Sequence, residues 1–179
     1  MRITVYGKGN VGGGLGDLWE QAGHQVDRLG HEGGDVSNAE VVLLAVPGGA
    51  VSEAIGKLRG AAGKMFIDAT NRFGVEPPEG FTSNVKSVTN GPTAKAFSLN
   101  FAALYPFLVK ARSKPSNIWS GDPETREVVE LLTADAGYDP VFAGDLTKAA
   151  AQEAAMALWA SIAKQNGPLV YRLSKPQDL

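Results

Sequence analysis

A β-branched, aromatic stretch at the start of the chain breaks onto a run of glycines. Arg2-Ile3-Thr4-Val5-Tyr6 has the composition of a short buried strand and leads directly into Gly7-Lys8-Gly9-Asn10-Val11-Gly12. Val11, Leu15, Leu18 and Ala22 then recur at helical spacing, and Gly23 supplies the stop. Gln25 to Leu29 reads as a second strand. Strand, glycine turn, helix and strand in this order form the first βαβ unit of a dinucleotide-binding fold. Each glycine has a separate task. Gly7 permits the tight turn out of the strand. Gly9 lets the backbone approach a pyrophosphate, because any Cβ there would collide with it. Gly12 allows the helix to pack closely on the strand. The helix-start amides, from Asn10 and Val11 onward, carry the positive end of the helix dipole.

Elements alternate along the rest of the chain. Gly30 to Asp35 is loop, and the roughly one dozen residues between the second strand and Val41 leave no room for a full crossover, so a shortened one is predicted, with Ser37 capping a brief helical turn. Val41 to Val46 is a strand and Ala50 to Arg59 a helix. Met65 to Asp68 is a strand, followed by a Pro/Gly-rich loop from Gly74 to Gly80. Val85 to Val88 is weakly strand-like or the end of a loop, Thr93 to Phe97 is a strand or strand end, and Ile118 to Ser120 is a strand. Phe101 to Leu108 is a helical candidate. Asp122 is placed to cap a helix that Gly137 stops. Pro140 to Ala143 closes the strands, and Leu146 to Gln165 is a last long helix with Ala150, Met156, Trp159 and Ile162 as candidates for burial. The predicted architecture is one α/β domain over residues 1–179. It is a Rossmann-type doubly wound, mostly parallel sheet with a C-terminal helix.

Composition narrows the chemistry. Seventeen Lys and Arg stand against nineteen Asp and Glu, a net charge of −2 that argues against a general nucleic-acid or anionic-membrane binder. The longest apolar run, Val41 to Val46, is far short of the roughly 20 residues that span a bilayer. The N-terminal residues run into glycines without a signal-peptide core, so a cytoplasmic protein is expected. The chain has no cysteine, which excludes thiolate and Cys-type metal chemistry, and its two histidines, His24 and His31, make a multi-histidine metal site hard to build. No metal is predicted.

Site candidates lie at the carboxyl ends of the strands. The second strand ends Asp27-Arg28-Leu29-Gly30-His31-Glu32. Arg28 and His31 suit a 2′-phosphate through charge-assisted hydrogen bonds, which favours NADP over NAD. Glu32 is the alternative, a carboxylate for an unphosphorylated 2′-hydroxyl. Ala45-Val46-Pro47 leaves room for a ribose, with plain turn formation as the competing role. Ala69-Thr70-Asn71 falls near the nicotinamide end, where Thr70 and Asn71 serve its ribose or carboxamide, or else a turn. His24, at the start of its strand, reads as structural.

A carbonyl reductase also needs a proton donor beside the nicotinamide. His31 falls at the adenosine end. Lys95 is the best-placed lysine, although packing or surface exposure is its more ordinary role. Catalytic residues are therefore left unassigned. A flavin or deazaflavin acceptor needs no such donor, because stacking supplies proximity and the cofactors carry the chemistry.

Taken in order, the motifs resemble the NADP oxidoreductases dependent on coenzyme F-420 and their wider group of dinucleotide-binding reductases. The likeness runs through the Gly7 to Gly12 turn, Gly23-His24-Gln25-Val26, Ala45-Val46-Pro47, Ile67-Asp68-Ala69-Thr70-Asn71 and Lys95-Ala96-Phe97-Ser98. It continues through Gly121-Asp122-Pro123-Glu124, Ala143-Gly144-Asp145-Leu146 and Ala155-Met156-Ala157-Leu158-Trp159. The resemblance implies NADP(H) in the cleft and hydride exchange with a flavin or deazaflavin. It places a phosphate contact on Lys8 and nicotinamide-side backbone contacts near Ala69 and Ala96. The family's Ser-Arg grip on the 2′-phosphate falls here on Gly30 and His31. Pairing of two copies through the C-terminal helix is also implied. Two alternatives stay open. One is a small imine or carbonyl reductase of the pyrroline-carboxylate reductase type, and the other is a non-catalytic NADPH-binding sensor.

Overall fold

The computed structural model describes residues 1–71, 81–108 and 110–178. The Gly74 to Gly80 loop lies outside them. The chain runs β1 (Arg2–Tyr6), α1 (Asn10–Gln21), β2 (Gln25–Leu29), β3 (Gly34–Asp35), β4 (Val41–Leu44), α2 (Val51–Gly56), β5 (Leu58–Arg59), β6 (Met65–Asp68) and α3 (Phe81–Thr89). It continues with β7 (Thr93–Lys95), α4 (Tyr105–Leu108), β8 (Ser116–Gly121), α5 (Arg126–Asp135), β9 (Asp139–Phe142) and α6 (Ala149–Asn166). Seven strands form one sheet in the order β2-β1-β4-β6-β7-β8-β9. Every pairing is parallel except β7 with β8. The mostly parallel, doubly wound reading holds, and β8 and β9 run against the rest.

Strand periodicity explains the two cores. Val41 and Leu43 point to one face, joining Leu15 and Trp19 of α1 and Leu132 of α5. Val42 and Leu44 point to the other, joining Val51 and Ile55 of α2 and Val85 of α3. With both faces covered, β4 is buried at every position, as a central parallel strand requires. Trp19 ties the helices of the first face together, its Nε1 donating to the Leu132 carbonyl at 2.8 Å.

Several local expectations are corrected. No helical turn follows Ser37. The Asp35 carboxylate instead accepts the Ser37 amide at 2.8 Å, and β3 pairs with β5, which takes Leu58 and Arg59 out of the α2 helix. Residues 85–88 lie in α3, not in a strand, because Thr82, Val85 and Thr89 bury a helical stripe. The Asp122 side chain does not cap the following turn; it accepts the Thr93 amide at 2.9 Å and pairs with Lys86. On α6, Met156 is buried but Ala150 is exposed; Ala149 and Gln152 face inward instead. Gln152 docks the helix by accepting from the Ser120 hydroxyl and donating to the Ile118 carbonyl at 3.1 Å.

The sheet order creates the site. From β1 the chain steps to β2 on one side and then returns to β4 on the other. The connections diverge at the carboxyl ends of β1 and β4, the crevice where ligands bind in open α/β sheets.

Candidate functional site

The crevice is built by glycines that the fold cannot replace and one that it does not need. Gly7 has φ +115°, and a Cβ there would stand 2.3 Å from the Ala45 carbonyl oxygen, so β1 and β4 meet only through glycine. A Cβ on Gly12 would strike the Gly7 carbonyl. Gly9 differs: among the described residues nothing lies within 4 Å of a Cβ built on it. The fold leaves that space open, as a backbone approached by a pyrophosphate requires.

Gly9 is also the N-cap of α1, with no side-chain cap and no acidic residue in the first turn. The amides at Asn10, Val11 and Gly12 therefore lack the side-chain acceptor that most helix starts supply. A cavity of about 500 Å³ opens beside them. Of the residues singled out in the sequence, Gly7, Lys8, Gly9, Gly30, His31, Ala45, Val46 and Pro47 line it together. Asn10 lines a second cavity of about 810 Å³ on the far flank of the helix start, with Gly13, Gly14, Ala102 and Tyr105; Lys8 and Gly9 belong to both. The Val11 side chain packs against the core.

Arg28 goes elsewhere. Its guanidinium pairs with Glu20 at 2.6 Å and Asp17 at 2.7 Å on the flank of α1, and it is absent from the cavity lining. Its tie to Glu20 holds that carboxyl below the ordinary range. The His31 side chain is 98% exposed at the mouth, 3.4 Å from Glu32. His24 is structural, bridging Asp135 at 2.8 Å and the N-terminal amine at 3.3 Å.

Ala69, Thr70, Asn71 and Ala96 sit at the carboxyl ends of β6 and β7 and line neither cavity. Backbone bonds tie Ala69 to Leu44 and Ala96 to Asp68. The Asn71 amide donates to the Ser98 carbonyl at 2.7 Å. Thr70 Oγ1, Asn71 Oδ1 and Ser98 Oγ are buried with no hydrogen-bond partner among the described residues. Ser98 carried no separate signal in the sequence.

Lys95 is fully buried. Its ammonium donates to Glu153 at 2.7 Å, the Thr70 carbonyl at 2.6 Å and Asp68 at 3.3 Å. Asp68 in turn accepts the Thr70 amide and the Thr82 hydroxyl, both at 2.8 Å. These contacts fix the turn after β6 and leave Lys95 no route to a substrate. Lys57, at the end of α2, also lines the first cavity; it pairs with Glu53 at 2.6 Å and donates to the His31 carbonyl at 3.1 Å. Its i,i+4 pairing with Glu53 is local, but its tie to His31, 26 residues away, is not marked in the sequence. Tyr171 and Lys175 have the Tyr-x-x-x-Lys spacing of a proton-relay pair. The Tyr171 hydroxyl accepts the Ile118 amide at 3.3 Å, its ring stacks on Trp159, and it lines neither cavity. Burial pushes its phenol up to about 12.

No family model matches the sequence, and no curated protein matches it. Solved structures do. A candidate F-420-dependent NADP reductase from Arthrobacter sp. FB24 aligns at TM-score 0.78 and 20% identity, over 98% of this chain and all of that one. A reductive aminase from Aspergillus terreus, solved with NADPH and ethyl levulinate, aligns at 0.69 and 15% identity; 93% of this chain is covered but only 62% of the aminase. A 3-hydroxyisobutyrate dehydrogenase from Mycobacterium tuberculosis aligns at 0.62 and 14% identity, over 93% of this chain and 66% of that one. At these identities the likeness shows a shared Rossmann-type α/β fold.

Proposed function

We propose that the chain is an NADP(H)-dependent oxidoreductase that exchanges hydride between the nicotinamide and a flavin or deazaflavin. One observation carries the binding half of this reading: the uncapped start of α1 stands beside open space over Gly9, at the crevice between β1 and β4. There the Asn10, Val11 and Gly12 amides hold a pyrophosphate, Lys8 adds a cation, and small Ala45 leaves room for a ribose. Thr70, Asn71 and Ser98 bring polar atoms that have no partner among the described residues to the nicotinamide side. When bound, the dinucleotide supplies the hydride. The protein positions it and keeps the diphosphate neutralised.

The choice of acceptor follows from Lys95. Its ammonium is enclosed by Asp68, Thr70 and Glu153, so the lysine best placed to relay a proton is occupied. A flavin-type acceptor takes hydride without such a relay. The names of the Arthrobacter reductase and the NADPH-bound aminase point the same way on the cofactor. No described helix is long and apolar enough to cross a membrane. We place the enzyme in the cytoplasm and pair two copies through α6, where Leu158 is exposed.

The aminase likeness sustains a second reading, reduction of an imine. Stopped-flow mixing with NADPH and FMN, FAD or a deazaflavin separates them through the loss of reduced-nicotinamide absorbance. Oxidation by a flavin-type acceptor is expected. Oxidation by an imine alone selects the second reading, and tight binding without oxidation by any acceptor makes the chain a sensor.

A further inference from the structure

The turn at the carboxyl end of β6 is backed by an ion cluster with one more carboxylate than ammonium. Lys95 Nζ donates to the Thr70 carbonyl at 2.6 Å and meets Glu153 Oε1 at 2.7 Å and Asp68 Oδ2 at 3.3 Å. The Lys95 and Asp68 side chains are fully buried and that of Glu153 is 9% exposed. Two carboxylates thus share one ammonium, and among the described residues no other cation pairs with either. The formal balance is one negative charge. It is enclosed, where water screens a charge less than it does at the surface.

The two acids are not equally tied. Asp68 spends both oxygens within the fold, accepting the Thr70 amide on Oδ1 and the Thr82 hydroxyl on Oδ2. Glu153 reaches the cluster from α6 and gives only Oε1 to Lys95. Its Oε2 is buried with no hydrogen-bond partner among the described residues. The unspent charge therefore belongs to Glu153. The dinucleotide reading places the nicotinamide at the same turn, beside Thr70 and Asn71. A reduced nicotinamide ring is neutral, and the ring that has given up a hydride is a cation. A buried negative charge nearby stabilises the cation and does little for the neutral ring.

We propose that Glu153 sets the oxidation-state preference of the site: the charge it adds to the Lys95–Asp68 pair holds NADP+ more tightly, relative to NADPH, than the same site would hold it without that charge. Bound NADPH is thereby the stronger hydride donor, because the product of donation is the form that the field favours. Glu153 acts through its field across the Thr70 turn and makes no contact with the nucleotide. This rests on the dinucleotide reading above.

Calorimetric titration with NADP+ and with NADPH tests it on the wild type, Glu153→Gln, Glu153→Asp and the double variant Glu153→Gln with Lys95→Met. Glu153→Gln keeps an oxygen for Lys95 and removes the excess charge. Its affinity for NADP+ relative to NADPH is expected to fall about fivefold. Glu153→Asp keeps the charge, and its ratio is expected to stay within about twofold of wild type. The double variant cuts the tie between α6 and the turn but leaves one negative charge, on Asp68. Its ratio is expected to return toward wild type. A merely structural role predicts the opposite, a loss that grows from Glu153→Gln to the double variant and falls on both nucleotides alike. A ratio unmoved in Glu153→Gln, or moved as far in Glu153→Asp, overturns the proposal and leaves the dinucleotide reading standing; these two variants decide the matter even where the double variant does not fold. A wild type silent toward both nucleotides overturns the two together.

Discussion

Gly12 is seated so tightly on Gly7 that a Cβ added to it would stand 2.0 Å from the Gly7 carbonyl oxygen and 2.9 Å from Val5 Cγ1. Alanine in a helix is intrinsically better than glycine by about 1 kcal/mol, but a backbone oxygen at that distance cannot yield. Gly12→Ala must lift α1 from β1. A net loss of about 1–3 kcal/mol is expected, read as a lower denaturant midpoint. An unchanged or raised midpoint would mean that helix and strand are not packed this closely.

Gly9→Val separates folding from binding. Nothing crowds the position, and Gly9 has φ −74° and ψ −169°, which valine adopts freely. Thermal unfolding should stay within a few degrees of wild type, while binding of NADPH falls beyond detection because the new side chain fills the approach to the α1 amides. Retained affinity would remove the diphosphate from this place.

The contrast between these glycines also shows what a sequence can and cannot disclose. The needs of Gly7 and Gly12 arise within one βαβ unit, so their spacing was readable. The two-residue strand Leu58–Arg59 exists only because Gly34–Asp35 lies alongside, and no local pattern encodes a partner that far away. Residues 85–88 looked strand-like because valines flank polar residues; the helix is set by packing of Val85 against the second core. The reversal of β8 was silent for the same reason, since direction in a sheet is decided by the connection and not by the strand. At the site, the glycine turn and its neighbours in the cavity were legible. The enclosure of Lys95 was not, because Glu153 lies 58 residues away on α6. Arg28 carried a phosphate-binding signal, yet acids on α1 compete for it.

Arg28→Ala tests that competition. Its guanidinium already satisfies Glu20 and Asp17 and lines no part of the cavity. NADPH affinity is expected to stay within about twofold of wild type, with a small loss of stability from the broken α1–β2 pairs. A tenfold or larger loss of NADPH binding with NADH unaffected would show that Arg28 leaves α1 to meet the 2′-phosphate.

Asp145 gives a pH signature at the start of α6. Its carboxylate accepts the Thr147 amide at 2.9 Å and the Thr147 hydroxyl, and these bonds hold it below its ordinary value of 3.8. A depressed folded-state value means that the ionised form stabilises the fold. That contribution is complete above the unfolded value and fades as pH falls through the folded one. Asp145→Asn should therefore unfold at a lower temperature than wild type at neutral pH, and the gap should close in strong acid. A gap independent of pH would assign the stabilisation to shape instead of charge.

Lys95→Met probes the buried ion cluster. Asp68 and Lys95 are fully enclosed and the Glu153 side chain is 9% exposed, so removing the ammonium leaves two carboxylates facing a methionine. Asp68 keeps the Thr70 amide and the Thr82 hydroxyl, but Glu153 Oε2 already has no partner among the described residues. A loss of about 3–5 kcal/mol is expected, the usual cost of stranding a buried charge. Adding Glu153→Gln to Lys95→Met removes one of the stranded charges and should return part of that loss. The double-mutant cycle should give a coupling of about 1 kcal/mol or more by urea unfolding. Strict additivity would mean that Lys95 and Glu153 do not act as a unit.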